Sequence, residues 1–396
     1  MRKKLLITIF ILSLGIVLQL VINKPDSRFS SQPAGWPGKY TDDSLSGLIS
    51  KFNQDMIPAY LATTDNARIL AYASMAYNKA KYSENGTEKN GKNAFFMVIS
   101  DITDNIKVNE MYKSDKNDTI AKKAFIYAKN IYNKDLYKYI FDKEIDISKD
   151  YLINTKREFY LYKPPLGHNS ELEKGWGLLK TIGSHDCKLP PPPVSSLIEL
   201  VAEAAKVDNI MGDFQKIDKE KYSKILFLIT HYTGAPAHRN EPARLLSQII
   251  LNIAHDSNLS KKDKDYYIME SLIGIHNAQI ISWYYKYFYK LIHPISLLPS
   301  RQITNALPNG PSYPSEFSTI ASTLNFIYKK YNIDTPVRLE IKGSLTTMPS
   351  TRVYKDFYDF SREFSEVPVF VGYNYLFDLK AGENLGLCVG GIKYES

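Results

Sequence analysis

The chain has 396 residues, of which 44% are hydrophobic and 23% charged, an ordinary globular composition with enough length for one large or two moderate domains. Its net charge of +8 comes mostly from lysines scattered singly through Tyr- and Asn-rich sequence. No arginine stripe or RNA-binding signature accompanies them, which excludes a nucleic-acid-binding class and leaves a solvated basic surface.

Arg2, Lys3 and Lys4 precede an apolar run from Leu5 to Ile22, broken only by Thr8, Ser13 and Gln19. That run is near the lower length limit for crossing a bilayer, and its exit lacks a small-x-small cleavage pair. We therefore expect residues 1–24 to be a signal anchor, or a cleaved signal peptide as the alternative, with the body on the extracytoplasmic side. No later segment is apolar enough to span. Residues 25–40 carry Pro, Gly and Ser and read as a linker. Two helical regions are expected to follow, 41–190 and 191–396.

In the first region, apolar residues at helical spacing in DNARILAYASMAYNKA predict a helix capped by Asp65 or Asn66. Two more helical patterns lie between 95 and 145, split by the polar KSDKNDT. Residues 155–195 read as irregular and end in Pro190–Pro193, which are extended. From Ser195–Ser196, a pair of cap candidates, helical spacing returns at 197–207, 217–232, 240–256 and 262–292. Strand alternation is nearly absent, with PVRLEIKGS at 336–344 the best candidate, so the fold class is mostly α. Cys187 and Cys388 have no metal-ligand partners in the sequence; a disulfide and two free thiols both remain open.

Three segments of the second region carry a resemblance. NAQIISWYYKYFYKLIHP contains Lys286, then His293-Pro294 after six intervening residues; PSYPSEFS spans Pro311 to Ser318; VPVFVGYNYLFDLKAGENLG runs from Val367 to Gly386. In order and internal spacing these resemble the signature of the vanadium haloperoxidase and type 2 phosphatidic acid phosphatase superfamily: Lys-x6-Arg-Pro, Pro-Ser-Gly-His and Ser-Arg-x5-His. Trp283, Tyr287 and Tyr289 match around the lysine, and Gly372, Asp378, Ala381, Gly382, Leu385 and Gly386 fall in register in the third segment. DNARILAYASMAYNKA is also similar to an N-terminal helix of that family. The resemblance implies a helical bundle and a pocket for phosphate or vanadate built from a lysine, two arginines and two histidines.

Mapped residue by residue, Lys286 and Ser315 remain as a remnant of the anion site. His293 stands for the first arginine, Glu316-Phe317 for the glycine-histidine pair, Val367-Pro368 for Ser-Arg, and Asn374 for the last histidine. Neither phenylalanine nor asparagine can replace a histidine in proton or phosphoryl transfer. Each charge-assisted hydrogen bond contributes about 1.5–3 kcal/mol, so losing both arginines forfeits about 3–6 kcal/mol of oxyanion binding. Arg362, six residues upstream of Pro368, is a candidate for recruitment to the pocket.

These residues lead us to expect a membrane-tethered binding or scaffold protein without the family's chemistry and with no cofactor, vanadate or phosphate entering only with a working site. The alternative is a phosphoesterase or peroxidase with altered site residues. Lys286 paired with Glu316 would suit the first reading and Arg362 in the pocket the second. A third arrangement, His293, Glu316 and Asn374 around a divalent cation, uses suitable ligand types. The N-terminus of the helix starting near Ser315 still offers N–H donors for a weak anion contact. Beyond the membrane contact through residues 5–22, the partner is an unidentified protein or a weakly bound anion.

Overall fold

A computed structural model describes residues 42–55, 63–103, 113–132, 175–215, 241–298, 310–341 and 350–394. The expected anchor and linker, the helix at 217–232 and the stretch 155–174 lie outside these residues. The helices are α1 (Leu45–Asp55), α2 (Thr63–Lys81), α3 (Glu88–Thr103), α4 (Thr119–Tyr132), α5 (Leu197–Gln215), α6 (Glu241–Asp256), α7 (Lys261–Tyr289), α8 (Pro294–Leu297), α9 (Glu316–Lys330), α10 (Phe357–Phe370) and α11 (Leu376–Gly390). None of the described helices is long and apolar enough to cross a membrane.

The organising element is α7. Its 29 residues extend about 43 Å at 1.5 Å per residue. Ser260 caps it by accepting from the Asp263 N–H at 3.2 Å, and Lys290 ends it in the left-handed region at φ 47°. Tyr267, Ile268, Leu272, Ile273, Ala278, Ile281 and Trp283 are spread around its whole circumference and are buried. A helix apolar on every side needs neighbours on every side. Those neighbours are α2, α6, α9, α11 and the 3-10 turn Trp176–Leu178. α2 is tied to it by polar contacts: Lys81 bonds Asp265 at 2.6 Å and Asn78 donates to the Asp265 carbonyl at 3.2 Å.

α2 starts at Thr63, two residues before the expected cap. Asn66 is instead buried, donating to Asn53 on α1 at 3.4 Å. A tertiary contact has taken the side chain that local rules assign to the helix end. α3 and α4 flank the polar loop as expected. Strand β1 (Val337–Ile341) forms, and it pairs antiparallel with a strand the sequence reading missed, β2 (Ser350–Tyr354), in the register Val337↔Tyr354. β2 is completed by its residue-for-residue pairing with β1.

Cys187 and Cys388 form a disulfide with Cα atoms 5.7 Å apart, joining the extended stretch before α5 to α11. Along that stretch, Tyr285 donates to the Cys187 carbonyl at 2.9 Å, Tyr289 to Leu189 at 2.7 Å and Tyr313 to Pro190 at 2.8 Å. Tyr285, Tyr289 and Tyr313 are therefore structural, each hydroxyl satisfying backbone that a proline-rich segment cannot pair internally.

α9 and α11 are packed at backbone distance. A Cβ placed at Gly382 would lie 2.5 Å from the Ser315 carbonyl, and one at Gly386 2.3 Å from that of Thr319. The close approach lets small hydroxyls bridge the helices: Ser318 to Leu379 O at 2.7 Å, Ser322 to Glu383 O at 2.8 Å and Thr323 to Gly386 O at 3.1 Å. This seam sets the position of the 310–315 loop.

Candidate functional site

The three resembling segments meet at one end of this seam. Lys286 projects from the last turn of α7, His293 precedes Pro294 at the start of α8, the loop from Gly310 leads into α9, and Asn374 and Asp378 come from the start of α11. The loop is fixed at both ends, with Ser312 N–H on Leu291 O at 2.8 Å and Ser315 N–H on Asp378 O at 3.1 Å.

Lys286 is buried, and its ammonium donates to the carbonyls of Pro311 and Ser312, both at 2.9 Å. This corrects the expected pairing with Glu316. The Glu316 carboxylate is held elsewhere, accepting from Gln279 Nε2 at 3.2 Å and from Trp283 Nε1 at 3.1 Å. Burial pulls the Lys286 pKa down to about 8, against the attraction of Glu316 and Asp378. Burial also pushes the Glu316 carboxyl up, with Lys286 opposing.

His293 lies between two backbone carbonyls, Nδ1 facing Tyr373 O and Nε2 facing Gly310 O. Its burial takes the pKa down to about 4. The Asn374 amide donates to Ser312 O at 2.8 Å and to Asp378 Oδ2 at 2.9 Å. Asp378 Oδ2 also accepts from the Tyr375 N–H at 2.9 Å and from the Ser312 hydroxyl. The other oxygen, Asp378 Oδ1, is buried without a hydrogen-bond partner. Desolvation raises this carboxyl to about 6, although its hydrogen bonds and Lys286 lower it.

Ser315 is the N-cap of α9, its hydroxyl accepting from the Ser318 N–H at 3.3 Å. Phe317 packs on Phe364, with ring centroids 4.9 Å apart, and Pro368 is buried inside α10. Arg362 is on the solvent side of α10, its side chain 63% exposed and 4.0 Å from Asp359, so it is not brought to the pocket. His293, Glu316 and Asn374 each turn to different partners, and among the described residues no group of His, Cys, Asp and Glu is arranged to hold a metal ion.

The structure thus brings together Lys286, His293, Asn374 and the N-terminus of α9, and adds three residues that motif mapping did not place in the site. Ser312 and Asp378 link the loop to α11, and Gln279 holds Glu316 from one turn before Trp283. Asp378 had a readable signal in its register within the third segment. Gln279 had none, because what it does depends on Glu316 arriving from another helix.

No protein-family model matches the sequence. Nor does any curated protein sequence. The fold itself has known counterparts. A bacterial vanadium-dependent iodoperoxidase superposes with a TM-score of 0.66 at 16% identity, covering 88% of this chain and 96% of its own. An apo-type bacterial vanadium-dependent chloroperoxidase gives 0.59 at 12% identity, with 82% and 91% covered. A holo-type bacterial vanadium-dependent chloroperoxidase gives 0.60 at 11%, with 91% and 94% covered. The resemblance read from three short segments therefore holds at the level of tertiary structure, and this chain has the fold of the vanadium-dependent haloperoxidases.

Proposed function

We propose that this chain is a haloperoxidase-fold protein that has given up oxyanion chemistry and works as a membrane-tethered, extracytoplasmic binding or scaffold protein. The observation that carries this reading is the hydrogen bonding of Lys286: its ammonium is engaged by two backbone carbonyls, with the Glu316 and Asp378 carboxylates acting on it. Vanadate or phosphate needs several unengaged cationic donors converging on it. The pocket offers carbonyl oxygens and carboxylates instead, so its donor set does not fit such a group. The packing of Phe317 on Phe364, the hydrogen bond of Asn374 to Asp378 and the exposure of Arg362 support the same reading. The disulfide supports an oxidising compartment, in keeping with a body exported behind residues 5–22.

The test is calorimetric titration of the full chain with orthovanadate and with phosphate, alongside a phosphatase and a peroxidase assay. We expect no binding up to millimolar concentration and no turnover. Micromolar binding with turnover would sink the proposal.

A further inference from the structure

We propose that the pocket has become a cation site of the ammonium type, which the chain fills from within with the side chain of Lys286. The inference rests on the reading of lost oxyanion chemistry and goes beyond it by naming the ligand class the pocket now suits.

The argument is a count of donors and acceptors. The Pro311 and Ser312 carbonyls point at the ammonium at 2.9 Å. The Tyr373 and Gly310 carbonyls point at the His293 ring. Asp378 contributes a carboxylate that is 0% exposed, and its Oδ1 has no partner of its own. A buried acceptor without a donor is rare, because it keeps the full penalty of leaving water. Together these groups make an acceptor-rich cluster, the arrangement by which backbone carbonyls replace the hydration shell of a monovalent cation. Such a cluster repels an oxyanion and accepts a positive donor. Lys286 supplies a positive donor, its Nζ on the two carbonyls and 6.0 Å from the Trp283 indole centroid. The pocket residues come from the same segments as the resembled anion site, so the change is one of charge preference on an unchanged frame.

Lys286→Ala removes the tethered ammonium and leaves its volume behind. Thermal unfolding of this variant would be followed in methylammonium chloride, in tetramethylammonium chloride and in sodium chloride at equal ionic strength, with orthovanadate as a separate arm. We expect the variant to melt below the wild type and methylammonium alone to raise its Tm, by about 1–2 °C at several times its dissociation constant. Tetramethylammonium, which has no N–H, should do nothing, and the wild type should not respond to either amine. A folded variant that ignores methylammonium and vanadate alike overturns this inference and leaves the loss of oxyanion chemistry standing. Stabilisation of the wild type by vanadate overturns both. Should Lys286→Ala fail to fold, Asp378→Asn answers the same question: an acceptor site stays blind to vanadate when one carboxylate is neutralised, whereas gain of vanadate binding would refute the proposal.

Discussion

Two faces of the same pocket have been treated differently. On the α9–α11 side, the features that resemble the haloperoxidase superfamily persist: Ser315 at the helix cap, Asp378 in the first turn of α11, and Gly382 and Gly386 where the helices touch. On the opposite side, where α7, α8 and α10 would supply cations, only Lys286 keeps the resembled residue type, and carbonyls satisfy it. The difference separates packing from charge. A glycine at which a Cβ would lie 2.3 Å from a neighbouring carbonyl cannot be exchanged without moving the frame. A guanidinium that touches only a ligand can be exchanged once the ligand is no longer bound.

The largest expected effect tests the packing face. Gly386→Leu forces the helices apart and should destabilise the chain by about 3 kcal/mol or abolish folding, as read by denaturant unfolding. The next test stays on the α9–α11 side, at its buried carboxyl. Asp378 has a folded pKa of about 6, above its unfolded value. Its contribution to stability is thus fully present below about pH 4 and lost as the pH rises through about 6. At two pKa units this amounts to about 3 kcal/mol, and it should disappear from the pH profile of Asp378→Asn when that profile is compared with the wild type's. The comparison matters because His293, with its pKa down to about 4, acts in the opposite sense: its contribution is present above its unfolded pKa of about 6.5 and lost as the pH falls.

A smaller effect is expected at the helix cap on the same side. Ser315→Ala removes the cap of α9 and should lower stability by about 1 kcal/mol in urea unfolding, since the hydroxyl's bond is to Ser318 and not to a ligand. Smallest of all, Arg362→Ala should change stability by less than about 0.5 kcal/mol and leave vanadate titrations flat. A measurable change in anion binding on losing Arg362 would mean that the charge face retains chemistry.

Much of this was legible in the chain itself. Helical spacing anticipated α2 to α7, the turn residues before Ser315 the start of α9, and alternation the strand β1, because each depends on residues close to one another in the chain. The expected pairing of Lys286 with Glu316 went astray for the opposite reason. The two lie on neighbouring helices, but the 310–315 loop puts two carbonyls nearer the ammonium, while Gln279 and Trp283 take the carboxylate. Backbone oxygens carry no residue identity, so no motif reveals where they will point.

The sequence by itself determined a mostly helical chain, the three segments that meet at the pocket, and the replacement of nearly every charged or nucleophilic group the superfamily signature demands. Residue type alone is enough for that, because a proline has no charge and a phenylalanine moves no proton. Tertiary structure alone decided that Cys187 and Cys388 pair across 201 positions, that Arg362 faces solvent, and that the surviving lysine binds its own backbone. Those outcomes depend on which groups folding brings within a few ångströms of each other, and burial makes each group bond to whatever acceptor or donor the packing has placed nearest.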